Sequence, residues 1–373
     1  MPLLAVPFSL FLIGSILLEA FESLVLPRRI ERRFRLTRVF YRRLWAVWRK
    51  ISHLLPDSFD DTFLSYFGPL SLLLLLTVWG CSLVFGFSLL EWGLSIPLHP
   101  ASATHLGDYL YLSATTFVTL GYGDLYPASG LARFLCDTEA GLGFGFLAIV
   151  IGYLPVLYGA FSQREVEIAM LDARASSPPS AGEMLRRTAV DPENSGLREM
   201  LRDYERWSAE LLESHLSFPV LMYYRSQHDR QSWLSALTTI LDTSAFIVAV
   251  QPDEKIAYQA RMTFAMARHA AIDLALTFDK RPTAPERLSA PDYAALCEML
   301  VVAGMPLRDA ASAPTEARLR ELRNLYEPYI ASLAQILAIE LPTWLPVDDP
   351  VDNWQTSGWD RDDHFFQHGK PTS

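Results

Sequence analysis

Cysteine is nearly missing from this 373-residue chain: Cys81, Cys136 and Cys297 stand far apart and form no CxxC pair. Neither a disulfide framework nor a thiolate zinc site is indicated. Enzyme signatures are missing as well. The histidines include no HExxH, no nucleophile motif appears and no GxGxxG follows a strand pattern, so the chain does not read as an enzyme. No β-rich pattern of a cyclic-nucleotide module is present either. A basic excess is also lacking. Residues 1–160 hold 11 Lys and Arg against 11 Asp and Glu, and residues 161–373 hold 21 against 31, so the whole net charge of −10 belongs to the second part. That argues against nucleic acid as a partner. The N-terminus shows no basic region and no small-residue cleavage pattern of a signal peptide.

Long apolar runs are present, and all of them lie in residues 1–160. Residues 3–26 are long enough to span a bilayer, which makes 1–27 an N-terminal transmembrane helix. Glu19 and Glu22 near its end fit the interface beside the arginines that follow; a functional intramembrane carboxylate is the other reading. Residues 28–62 are a basic segment and linker. Within it Leu36, Phe40, Leu44, Val47 and Ile51 recur at helical spacing, with arginines around the other face. This predicts an amphipathic helix lying on a bilayer that carries anionic lipids. Arg29, Arg32, Arg35 and Arg38 recur every third residue, as in a voltage sensor. Only one apolar helix precedes them, so no bundle exists for a sensor to move through, and the interfacial helix is the better reading.

Residues 63–162 alternate differently. A spanning helix over 64–90 is followed by a polar, Pro-containing turn over 94–107 and by DYLYLSATTFV, which is too short to span. Another spanning helix covers 131–160. Short basic loops stay in the cytoplasm. The linker at 28–62 therefore lies inside, and so does everything after the last span. Residues 163–341 read as an all-α cytoplasmic domain, with helices over 192–214, 231–250, 256–278, 290–303 and 315–340. WLSALTTILDTSAFIVAV is apolar enough to span, but Asp242 in its middle and the charged helices around it favour a buried core helix. Residues 342–373 read as an acidic flexible tail. The fold class is an all-α membrane protein with a helical cytoplasmic domain.

Between the two spans stands TTFVTLGYGDLYP, residues 115–127. Irregular backbone at membrane depth is tolerated only where it is buried in protein or lines a water-filled cavity. Conducting a cation requires a ring of oxygens in place of its hydration shell. Consecutive backbone carbonyls supply one only if some residues adopt left-handed φ, which Gly121 and Gly123 allow. Thr119 adds a hydroxyl below the lowest ring. Leu120 and Tyr122 turn their side chains away from the axis to pack against surrounding helices, and Asp124 concentrates cations at the mouth. Asp108 suits the N-terminal end of the preceding short helix.

The run Thr119-Leu120-Gly121-Tyr122-Gly123-Asp124 resembles the TVGYGD selectivity-filter signature of tetrameric potassium channels. The order outer helix, pore helix, filter, inner helix over residues 64–160 is similar too, as in bacterial two-helix pores, here with an extra N-terminal helix. The resemblance implies that the carbonyls of Thr119, Leu120, Gly121 and Tyr122, with the Thr119 hydroxyl, bind permeant K+, and that no other cofactor is needed. It implies four identical chains around one axis. Leu120 departs from the family's valine, and Thr115 stands where some members carry a glutamate behind the filter. Thr115, Thr116 and Glu139 are the behind-filter candidates, Glu139 being alternatively a helix-interface carboxylate. Gly143, twenty positions after Gly123, is similar in place to the family's gating hinge, and Pro155 is a candidate kink. Close helix packing is the other reading of Gly143. The stretch 215–238 resembles segments of other bacterial single-pore channels.

The remaining polar pairs read as structural or solvated. They are His269 with Asp273, His364 and His368 beside Asp362 and Asp363, and the aspartates at 348, 349 and 352. No cytoplasmic ligand is legible. The expected function is a homotetrameric potassium channel in a prokaryotic plasma membrane, gated by the inner helix and the helical domain. The alternatives are a membrane-anchored sensor with a vestigial pore, or a weakly selective cation channel.

Overall fold

The computed structural model describes residues 2–25, 35–54, 56, 62–189, 195–227, 230–278, 286–310 and 312–347. Arg29, Arg32, the aspartates at 348, 349 and 352, and the Asp362, Asp363, His364 and His368 group lie outside the described residues. The chain forms two compact units. The first comprises Met1–Phe161 with Ser217–Tyr224, and the second Ser162–Leu216 with Arg225–Ser373. Among the described residues, helices account for all regular structure except one pairing of two-residue strands.

The first unit starts with α1 (Pro2–Ala20), which continues as a π-helical turn over Phe21–Val25. Helix α2 (Leu36–Ser52) follows, with its exposed positions including Arg38, Arg42, Arg43 and Lys50. Glu19 settles into a role foreseen by neither sequence reading. Its carboxylate is buried and accepts the backbone N–H groups of Leu36 (3.0 Å) and Thr37 (3.1 Å) and the Thr37 hydroxyl (2.7 Å). These are unsatisfied donors at the start of α2, so α1 caps α2 across the intervening chain. Helix α3 (Phe67–Gly93) lies against α1, where Gly86 leaves room for Ile13. Leu72, Leu75, Trp79, Leu83 and Phe87 of α3 form the core with Ile13 and Ile16 of α1.

A short connection then carries strand β1 (Leu98–His99), helix α4 (Leu106–Phe117), strand β2 (Tyr126–Pro127) and helix α5 (Gly130–Ala175). β1 and β2 pair antiparallel, Leu98 opposite Pro127 and His99 opposite Tyr126, so the polar turn clasps the chain after the loop. The Asp108 carboxylate accepts the His105 N–H at 2.9 Å, as its place in the first turn of α4 suggested. Helix α5 does not end near residue 160; it runs on to Ala175, and its residues from Ser162 belong to the second unit.

In the second unit follow α6 (Ala181–Thr188), α7 (Ser195–Ser217), α8 (Trp233–Val250), α9 (Glu254–Leu276), α10 (Ala290–Val302), α11 (Ala313–Asn324) and α12 (Glu327–Leu337). Four described helices are long and apolar enough to cross a membrane: Leu4–Val25, Thr62–Gly93, Gly130–Ala175 and Trp233–Val250. The last of these, α8, is the buried centre of the second unit. Its Asp242 is fully buried and accepts from both terminal guanidinium nitrogens of Arg287 (3.1 and 2.7 Å) and from the Tyr326 hydroxyl (2.5 Å). Such pairing is what allows a charge inside an apolar helix bundle.

Two expectations need correction here. The single helix expected over 315–340 is two, broken at Tyr326, because Pro328 fits the first turn of a helix and not an interior. The expected flexible tail also starts too early. Trp344 is buried, its carbonyl accepts the Gly182 N–H at 2.9 Å, and the Arg323 guanidinium lies over its ring at 5.8 Å.

Candidate functional site

The loop after α4 has the most unusual backbone of the first unit. Thr119, Gly121 and Gly123 have φ of +56°, +49° and +79°, and the intervening Leu120 and Tyr122 are not in the left-handed region. Alternation of this kind turns successive peptide planes so that like groups share a side. The two glycines were legible; Thr119 was not, because a threonine carries no sign that it will adopt positive φ.

The hydrogen bonds explain what holds the loop. The Thr116 carbonyl accepts the Thr119 N–H (2.9 Å), and the Thr115 carbonyl accepts those of Leu120 (2.7 Å) and Gly121 (3.3 Å). The last carbonyls of α4 thus find donors in the loop rather than in a continued helix. The amides face back toward α4. Among the described residues no group donates to the carbonyls of Thr119, Leu120, Gly121 or Tyr122. A run of four acceptors is therefore available to a ligand that needs oxygen.

The neighbouring candidates fall into different places. Thr115 and Thr116 act through their backbone carbonyls; the Thr115 hydroxyl turns back to the Tyr111 and Leu112 carbonyls, 3.0 Å from each. Glu139 is fully buried and takes a hydrogen bond from the Ser113 hydroxyl, which also lies 2.8 Å from the Val84 carbonyl. Through Ser113 it ties α4 to α5 beside the Val84 carbonyl of α3. Asp124 just after the loop accepts the Tyr111 hydroxyl at 3.0 and 3.2 Å. Tyr111 was missed in the sequence, since only the fold brings residues 13 apart to one edge. Glu91 was missed too. It is buried at the end of α3 with the Cys136 thiol 3.5 Å from its carboxylate.

Gly143 sits against the end of α4, where an added Cβ would run into the Phe117 carbonyl. Close packing therefore has a direct structural reason at this position. Pro155 is exposed within a helix that continues through it. Leu120 and Tyr122 do not pack within this chain: they are 52% and 69% exposed. On α5 the side chains of Leu131, Phe134, Phe144, Leu147 and Ile151 are exposed as well. Among the described residues no group of three or more His, Cys, Asp and Glu is arranged to hold a metal ion.

Residues 73–157 match the family model described as "Ion channel". The matched region runs from α3 through the loop into α5, and the first unit therefore holds an ion-channel-type segment within a multi-helix membrane protein. The chain is also 26% identical over 214 residues to "Uncharacterized membrane protein YdjJ" of Bacillus subtilis (strain 168). That similarity takes in 55% of this chain and 59% of the relative, so the chain spans less than two thirds of that protein's length. No solved structure matches.

Proposed function

We propose that four copies of this chain form a potassium-selective channel, with Thr119, Leu120, Gly121 and Tyr122 coordinating K+ through their carbonyls. The observation that carries this reading is the loop itself: left-handed φ at alternate positions, the amides of Thr119, Leu120 and Gly121 engaged by α4 and, among the described residues, four carbonyls without a donor. A dehydrated cation needs oxygen on all sides, and one chain supplies a single wall. The exposed Leu120 and Tyr122 need neighbours that other copies can provide, in line with closed cyclic symmetry about a pore. The Thr119 hydroxyl extends the site below the lowest carbonyls, and Asp124 draws cations to the mouth. Gly143 and Pro155 lie on the helix that would gate the pore. The basic face of α2 rests on anionic lipid at the inner leaflet of a prokaryotic plasma membrane, and the second unit lies in the cytoplasm.

The test is the reversal potential of the purified full chain in a planar bilayer, with potassium on one side and sodium on the other. A value near the potassium equilibrium potential supports the reading. Robust current reversing near zero overturns selectivity and leaves a general cation pore, for which Leu120 would be the first residue to restore to valine.

A further inference from the structure

Ser217–Tyr224 belongs to the first unit, although the residues on both sides of it belong to the second. Pro219–Tyr223 is a single 3-10 turn with its proline at the start. Val220 and Leu221 are buried in the same core as Leu72, Leu157 and Phe161. Aromatic rings fix the rest. Phe218 meets Tyr153 edge-on at 5.4 Å, and Tyr224 meets Phe161 at 5.5 Å, so two contacts hold the part of α5 beyond Gly143. Tyr223 stacks on Tyr41 of α2 at 5.9 Å and lies 5.1 Å from Phe67 at the start of α3. Gly68 leaves just enough space: an added Cβ would come within 2.5 Å of the Tyr224 ring.

One turn thus touches three helices at once, and α5 reaches from it to the candidate pore loop. Offset and edge-on ring contacts are directional, so a turn held by them is seated or unseated and does not slide gradually. Its flanks are tied within the second unit. The Arg225 guanidinium donates to the carbonyls of Leu337 (3.1 Å) and Ala338 (2.7 Å). The Gln227 N–H donates to Glu165 at 3.1 Å; His215 accepts the Arg164 guanidinium at Nε2 (3.3 Å) and donates from Nδ1 to the Leu211 carbonyl (2.9 Å). Arg225 follows Tyr224 directly, which leaves no slack on that side.

We propose that Ser217–Tyr224 is a coupling wedge, seated between α2, α3 and α5, whose withdrawal by rearrangement of the second unit frees the end of α5 and changes conduction. It rests on the reading of residues 73–157 as a pore. The test uses the full chain in liposomes, with Cys81, Cys136 and Cys297 replaced by serine and a spin label on Val156→Cys, a position 58% exposed. Phe218→Ala with Tyr224→Ala is compared with the intact wedge. Gly68→Ala, which crowds the Tyr224 ring without removing it, serves as the second variant should the double one fail to assemble. Label mobility is expected to rise, and potassium flux to change at least threefold, at an unchanged potassium-to-sodium ratio. Unchanged mobility, or raised mobility with unchanged flux in a conducting protein, overturns the wedge. An intact protein that passes no cation sinks the pore reading instead, and the label alone then decides whether the turn holds α5.

Discussion

Thr119, Gly121 and Gly123 share a backbone conformation at different cost. For an L-residue with a Cβ the left-handed region is unfavourable by roughly 1–2 kcal/mol, while glycine adopts it freely. Gly123→Ala is therefore expected to bring the reversal potential toward zero while the protein still assembles; full retention of potassium preference would dismiss the loop as the ion site. Gly143 is governed by space instead. Gly143→Ala forces a methyl onto the Phe117 carbonyl and should destabilise the assembled protein by about 2 kcal/mol, read as a lower thermal midpoint in detergent. Glu19→Ala removes the cap of α2 and should cost about 1 kcal/mol in denaturant unfolding, with helicity lost in proportion. Residue by residue, glycines announced their backbone and were legible. The positive φ of Thr119 was not, because a threonine carries no sign of it, and neither were the roles of Tyr111 and Glu19, which depend on partners that only folding brings near.

Helices were legible where hydropathy or a 3.6 period ran long. The long apolar helices were legible in kind, although α5 runs on to Ala175 past its expected end, and Asp242 marked α8 as a core helix because an isolated carboxylate there demands a partner. That the partner is Arg287, 45 positions on, was beyond the reach of local pattern. Helix α6, eight residues long, was too short to register, and the break at Tyr326 hid inside an otherwise continuous helical pattern. Asp242→Ala leaves Arg287 buried without its main partner and should cost the second unit roughly 3–5 kcal/mol, measured by urea unfolding.

His215 at the end of α7 gives that unit a pH dependence. Burial, and then the Arg164 guanidinium beside it, hold the imidazole well below its ordinary 6.5. Ser214, the Trp233 ring and Glu165, which pairs with Arg164, complete its surroundings. Below pH 6.5 the unfolded chain takes up a proton that the folded one refuses, so stability falls as pH drops, by up to about 1.4 kcal/mol per unit. His215→Gln should flatten this slope between pH 6.5 and 5; an unaltered slope would assign it to other groups.

For the whole molecule, the division into units has one exception to sequence order. Composition separates an apolar first part from an acidic second part. The return of Ser217–Tyr224 was not readable, because a short aromatic turn reads the same whether it caps a soluble bundle or seats among membrane helices. The candidate pore loop has a consequence at this scale. Among the described residues each chain offers acceptors without donors along residues 119–122. Four such strands facing one axis would be rows of like-directed dipoles that repel one another unless positive charge stands between them. The permeant ion would then act as mortar as well as cargo. If four copies do assemble this way, dialysis against a cation too large to enter should lower the melting temperature by several degrees, and potassium should restore it.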